Sequence, residues 1–228
     1  MRVGGNSDYY YEPKTIKDFL KIIKICNKNK INYFILGNGT NTIFTDKGFR
    51  GIVICTKKLK KITKKKNIIC LDCGVNMYVL NKYLISNGLT GLEWSFGIPG
   101  TIGGAVCMNA GAYGGQMKDV VLKVKIFDGK NVKILNSNQL NMTYRNSLIK
   151  QKKYIVLKAW LKLDFDEQTN IEQRCKEYMS KRITSQPLEY FNSGSIFKTT
   201  NNIIAGKIID NLGLKGVTIN GAQISIKH

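Results

Sequence analysis

The feature that most restricts what this chain can become is a run from Gly97 to Gly115, GIPGTIGGAVCMNAGAYGG, in which ten of nineteen residues are glycine or alanine. Glycine costs about 1 kcal/mol per position relative to alanine inside a helix, so helix propensity does not account for the run. Something must pass close to this backbone: either other turns of the chain, packed tightly, or a large flat ligand whose charged part is held by main-chain amides.

The rest of the chain narrows the setting. Its 228 residues, 43% hydrophobic, suffice for one large domain or two modest ones with a real core. No apolar run approaches the roughly 20 residues of a membrane span, and the opening MRVGGNSDYYYEP has no apolar centre of the kind a signal peptide needs. The expected location is the cytoplasm. The formal charge of +21 raises nucleic acid as a partner. However, only five of the 36 basic residues are arginine, and the densest cluster, KKLKKITKKK from Lys57 to Lys66, has no interleaved aromatic for base stacking. A solvated loop or strand edge is the favoured reading, with no nucleic-acid and no membrane partner. The six cysteines form no disulfide framework, and Cys70 and Cys73, the one C-x-x-C, lack the second pair or histidines that zinc requires. No metal is expected.

Periodicity sets out the elements. Ile16, Phe19, Leu20 and Ile23 form the stripe of an amphipathic helix within Pro13–Lys30. A strand over Tyr33–Leu36 leads into GNGTN, followed by short strands around Ile43 and over Ile52–Ile54. Another strand spans Ile68–Leu71 and a helix Met77–Asn87, stopped by Gly88. VVLKVKIF, NVKIL and YIVLKAWLKLDF read as antiparallel strands, the first two joined by an Asp128-Gly129 turn. Helices over Asn170–Ile183 and Ile204–Leu212 and a strand over Gln223–Lys227 complete the chain. The expected domains are residues 1–167 and 168–228.

Four stretches could carry chemistry. In LGNGTN, Gly37 and Gly39 allow a sharp turn while Asn38, Thr40 and Asn41 add donors and consecutive amides, the makings of a pyrophosphate nest, although an Asn-Gly turn is usually only a turn. The long run holds two small-residue loops, around Thr101 and from Asn109 to Gly114, which would suit a dinucleotide or tight packing. MTYRNS contains Arg145, a planar fork of the type a carboxylate needs. NSGSIFK contains Ser195 on flexible backbone. The sole histidine is His228, so a Ser-His-Asp triad is excluded.

In this order, RVGG, LGNGTN, GIPGTIGGAVCMNAGAYGG, YRNS, QP, GSIFK and AGKIIDNLGLKG resemble one family over essentially the whole chain, the UDP-N-acetylenolpyruvoylglucosamine reductases, also called UDP-N-acetylmuramate dehydrogenases. The resemblance implies an α+β chain with an FAD-binding domain of the vanillyl-alcohol-oxidase (PCMH) type and a smaller α+β substrate domain. It implies FAD held by Gly37, Asn38, Gly39, Thr40 and Asn41; by Gly100, Thr101, Ile102, Gly103, Gly104 and Ala105; and by Asn109, Ala110, Gly111, Ala112, Tyr113 and Gly114. NADPH would be the hydride donor and UDP-N-acetylglucosamine-enolpyruvate the substrate of a monomer.

Arg145 matches the family arginine that stabilises an enolate-like state, and Ser195 the serine that protonates the neighbouring carbon. Tyr144 and Lys198 are the expected substrate contacts. The 50 residues from Arg145 to Ser195 match the branch without an extra substrate loop. Two departures are visible: Thr199-Thr200 stands where the family has Asn-Pro, and the family's C-terminal glutamate acid has no counterpart in these 228 residues. The expectation for this form is weak FAD binding and slow turnover, with an inactive flavin-binding fragment as the alternative reading.

Overall fold

The computed structural model describes residues 3–190, 194–199 and 203–227. They fall into two compact units, one of Val3–Tyr178 and one from Met179 onward.

The first unit contains two sheets. Strand β1 (Ser7–Tyr11) leads through helix α1 (Ile16–Lys28) to β2 (Tyr33–Leu36) and then β3 (Phe49–Cys55); β3 lies between the other two, parallel to both. Thr15 caps α1 by accepting from the Asp18 amide, and Phe19, Ile23 and Cys26, at i, i+4 and i+7, are its buried stripe. No strand forms around Ile43, contrary to the sequence reading. Residues 42–48 instead turn on themselves, with the Gly48 amide donating to the Thr45 carbonyl, and Ile43 is exposed. The turn formers on either side, GNGTN and DKG, outweigh two β-branched residues.

The second sheet uses β4 (Ile62–Lys65) and β5 (Ile68–Asp72) and, later in the chain, β9 (Val121–Phe127), β10 (Val132–Asn136) and β11 (Ile155–Lys162), in the antiparallel order β10-β9-β11-β5-β4. Between β5 and β9 come α2 (Met77–Ile85), β6 (Leu89–Thr90), α3 (Ile102–Cys107) and the ribbon of β7 (Gly111–Ala112) with β8 (Gly115–Gln116). Asp128 accepts from the amides of Lys130 and Asn131 and so closes the β9–β10 turn. The lysine-rich segment supplies β4, an edge strand, where charge discourages further pairing. A short α4 (Leu148–Gln151) precedes β11, and β12 (Asp164–Phe165) pairs with β6. Buried residues of α1, α2, α3 and both sheets form one continuous apolar core, including Phe19, Ile54, Leu71, Leu80, Ile102 and Leu157.

Helix α5 (Gln168–Ser185) begins in the first unit and runs into the second. The second unit then has α6 (Ala205–Asn211), ended at Gly213, and a hairpin of β13 (Thr218–Ile219) and β14 (Ala222–Gln223). The strand expected over Gln223–Lys227 ends at Gln223, because the ladder is only two pairs long. Its turn, Asn220-Gly221 with both residues at positive φ, is the Asn-Gly hairpin signal, which the sequence reading passed over.

Candidate functional site

The first loop, residues 37–41, leaves β2 at the end of the parallel sheet. Among the described residues, the amides of Asn38, Gly39, Thr40 and Asn41 donate to no acceptor. Gly39 has φ +69°, and a Cβ there would find only Leu36 Cδ1, at 3.9 Å. Four consecutive free amides on an open turn form a concavity for an anion of moderate charge density.

The second loop meets the first directly. Asn38 Nδ2 donates to the Pro99 carbonyl at 2.6 Å, and Gly37 lies so close to the Thr101 hydroxyl that a Cβ would collide with it. Thr101 is the N-cap residue of α3, and its neighbours are partly committed: the Ile102 amide donates to Val75 O at 2.9 Å and the Gly103 amide to Cys73 O at 2.7 Å. Ile102 and Ala105 are buried in the core, while Gly104 is exposed, with Thr101 Oγ1 the one atom near a Cβ, at 3.7 Å. Gly100 is also uncrowded, its carbonyl accepting from the Met77 amide.

The third loop is built differently. Asn109, buried and at φ +42°, donates to Gln116 Oε1 and Thr143 O and accepts from the Lys118 amide. The Ala110 amide donates to Ala105 O, and its carbonyl accepts from Met117. Gly111 and Ala112 pair with Gln116 and Gly115, and Tyr113 and Gly114, both at positive φ, make the two-residue turn. Gly115 lies flat on the Trp94 indole. Glycine at positions 37, 103, 111 and 115 is thus explained by packing and at 39 and 114 by positive φ, whereas at 100 and 104 neither crowding nor backbone conformation requires it. Tight packing thus answers the opening question at four of these glycines, and Gly100 and Gly104 leave the backbone open.

Arg145 sits at the third position of a tight turn in which Thr143 and Asn146 exchange backbone hydrogen bonds, and its φ is +54°. Its guanidinium reaches back to the third loop, Nη2 donating to Gly111 O at 2.7 Å and Nη1 to Asn109 O at 3.4 Å, and lies 5.0 Å from the centre of the half-exposed Tyr144 ring. Two of its five donors are used, leaving three for an anion. Ser147 fixes the turn, donating to Cys107 O at 2.7 Å. That contact was not foreseen: YRNS marks a motif, and only the fold shows what its serine holds.

In the second unit, Ser195 follows Gly194, which has φ +70°, and both Ser195 and Lys198 are exposed. Asn192, Ser193 and Thr200 of that region, with Arg2 and His228, lie outside the described residues. Glu189 pairs with Lys227 at 3.0 Å.

Sequence reading also missed a partly buried ion cluster. Glu93 accepts from Thr90 Oγ1 at 2.6 Å, the Gly91 amide at 2.9 Å and Arg174 Nη2 at 2.9 Å, and Arg174 also reaches Asp166 at 2.6 Å. Burial pushes the Glu93 carboxyl up, but these bonds outweigh it and hold it below the ordinary carboxylate range. Burial raises the Cys73 and Cys175 thiols, Cys175 to about 12, so neither is a thiolate nucleophile. Among the described residues no cluster of histidine, cysteine and carboxylates could hold a metal ion, and no helix is long and apolar enough to cross a membrane.

The free amides of 38–41, the open faces at Gly39 and Gly104, and an arginine docked on the third loop fit a dinucleotide bearing a pyrophosphate. Residues 7–136 match the family described as FAD binding domain, so the first unit is that of a flavin-dependent oxidoreductase. Alkyldihydroxyacetonephosphate synthase shares the fold, with a TM-score of 0.54 at 15% identity over 68% of this chain and 31% of that one. Residues 186–228 match the C-terminal domain of UDP-N-acetylenolpyruvoylglucosamine reductase. The reductases of that name from Caldanaerobacter subterraneus subsp. tengcongensis and Listeria innocua are 39% and 40% identical to this chain, each covering all of it and 76% of their own length. The crystal structure of UDP-N-acetylenolpyruvylglucosamine reductase from Thermus caldophilus superposes with a TM-score of 0.82 at 31% identity, over 99% of this chain and 80% of that one. The chain belongs to the UDP-N-acetylenolpyruvoylglucosamine reductase family.

Proposed function

We propose that this chain reduces the enolpyruvyl group of UDP-N-acetylglucosamine-enolpyruvate to UDP-N-acetylmuramate, using NADPH. The reaction belongs to cytoplasmic peptidoglycan precursor synthesis and thus to cell wall biogenesis, cell shape and division; we assign a monomer, with residues 1–167 as the cofactor domain and 168–228 as the substrate domain. FAD, when bound, supplies the hydride relay between NADPH and substrate. Residues 37–41 would hold its pyrophosphate, and residues 100–105 and 109–114 would border the rest.

The docking of Arg145 on the carbonyls of Gly111 and Asn109 carries this reading, because it puts a preoriented cation on the loop assigned to the cofactor. Addition of hydride at the substrate methylene carbon leaves an electron pair on the adjacent carbon, delocalised into the carboxylate. The remaining guanidinium donors of Arg145 stabilise that charge where it develops. The hydroxyl of Ser195 donates a proton to that carbon, completing addition of hydride and proton across the double bond. Tyr144 and Lys198 are assigned to substrate binding.

The test is the visible spectrum of the FAD-loaded protein under anaerobic conditions. NADPH should bleach the flavin band, and UDP-N-acetylglucosamine-enolpyruvate should restore it. A band that NADPH leaves intact would overturn the reading.

A further inference from the structure

Helix α5 grips the 111–116 hairpin at two places. Near its middle, Arg174 holds Glu93 and Thr90, and the next residue, Trp94, is the floor on which Gly115 lies. One turn later Tyr178 stacks on Tyr113 at the hairpin tip, ring centres 5.2 Å apart and planes inclined by 28°. Arg174 and Tyr178, at i and i+4, face the same side of α5, next to the buried Ile171 and Cys175. The hairpin in turn presents the Gly111 carbonyl that accepts from Arg145 Nη2. A short two-pair ribbon is marginal by itself, so its position is set by what holds its floor and its tip.

The geometry points to Tyr178 as a positioning residue that, through Tyr113 and the Gly111 carbonyl, holds the Arg145 guanidinium in its working place. The ring acts by stacking area, which an alanine removes and a phenylalanine keeps. Tyr178 therefore governs the step that needs Arg145, reoxidation of the reduced flavin by substrate, and not reduction by NADPH. This rests on the role proposed above for Arg145.

The experiment compares Tyr178→Ala and Tyr178→Phe with the parent in two measurements. Hydrogen exchange of the 109–117 segment in the full chain should quicken about tenfold in Tyr178→Ala and stay at the parent rate in Tyr178→Phe. In the FAD-loaded protein, reoxidation by substrate should slow roughly 10- to 100-fold in Tyr178→Ala, since small misplacements of a charge-stabilising group are costly, while reduction by NADPH changes less than about twofold. Unchanged exchange overturns the proposal whatever the activity. Faster exchange with equal loss in both half-reactions, or with none in reoxidation, overturns the link to Arg145. A parent protein whose flavin NADPH does not bleach refutes the functional reading instead, and exchange then decides by itself whether α5 holds the hairpin.

Discussion

Residues 38–41 and residues 103–115 are both poor in side chains, yet the backbone is committed in opposite ways. In the first stretch four amides in a row have no acceptor among the described residues, and Gly39 faces open space. In the second, Gly103 fits against Cys73, Gly111 against Gln116 and Gly115 against Trp94, while the amides of Gly103, Ala105 and Ala110 are all bonded. Small residues leave the backbone open in one place and allow dense packing in the other. Gly104, exposed in the middle of the packed stretch, is the exception that tests the rule.

The largest effect should come from Gly115→Ala. The new Cβ would collide with the Trp94 indole, itself 5% exposed and fixed by its Nε1 bond to Gly91 O at 3.2 Å. Overpacking against a held ring costs about 3 kcal/mol, a fall in melting temperature of roughly 6–12 °C for a chain of this size. A melting temperature within about 2 °C of the parent's would mean the hairpin gives way freely and is not packed in the sense argued here.

Next in size is Arg174→Ala, which undercuts the same floor from beneath. It leaves the Glu93 carboxylate, 8% exposed, without its cation. Breaking a fully buried pair costs about 3–5 kcal/mol; Arg174 is 37% exposed, so about 2 kcal/mol is expected after solvent screening. The pH dependence has a definite sign. The folded Glu93 carboxyl lies below its ordinary value, so its contribution is present above the unfolded value of about 4.3 and fades as pH falls through the folded one. The gap between parent and variant should be widest near neutral pH and shrink as pH falls below the unfolded value. Melting curves from pH 3 to 8 read this directly, and a gap independent of pH would assign the loss to packing.

Legibility in the sequence followed the range of the interactions. Helix α1, the strands β9, β10 and β11 and the turn at Asp128 were visible because period, capping and turn chemistry are local. The stack of Tyr178 on Tyr113, the reach of Arg174 to Glu93 across 81 residues and the docking of Arg145 on Gly111 were not, since nothing local in either partner marks the other. Gly37 was read as a turn former, but its smallness answers to Thr101, 64 residues away in the sequence. The second unit shows the same limit. Its helix α6 was foreseen, yet no apolar side chain after Cys175 is buried among the described residues, and hydrophobic periodicity by itself does not say what an apolar face meets.

Gly39→Ala should cost the apo protein about 1 kcal/mol, because φ +69° is strained for any residue with a Cβ, with no clash to add. Its larger signature is in binding: a methyl group on the open side of the amide run should weaken FAD about tenfold, measured by titrating the apo protein and following flavin fluorescence. Unchanged affinity would remove residues 37–41 from the cofactor site.

Gly104→Ala should have the smallest effect on stability and separates the two uses of glycine most sharply. The residue is helical, exposed and uncrowded, so alanine is neutral or stabilises by a few tenths of a kcal/mol. If its bareness serves only the chain, FAD affinity will match the parent's. If the flavin lies against this face, affinity drops several-fold while the melting temperature of the apo protein holds or rises. That opposite movement of stability and affinity is what packing cannot produce, because a glycine kept for packing loses stability first when a methyl is added. Equal affinity would confine the cofactor to the first stretch and leave the whole of residues 103–115 to the architecture that holds Arg145.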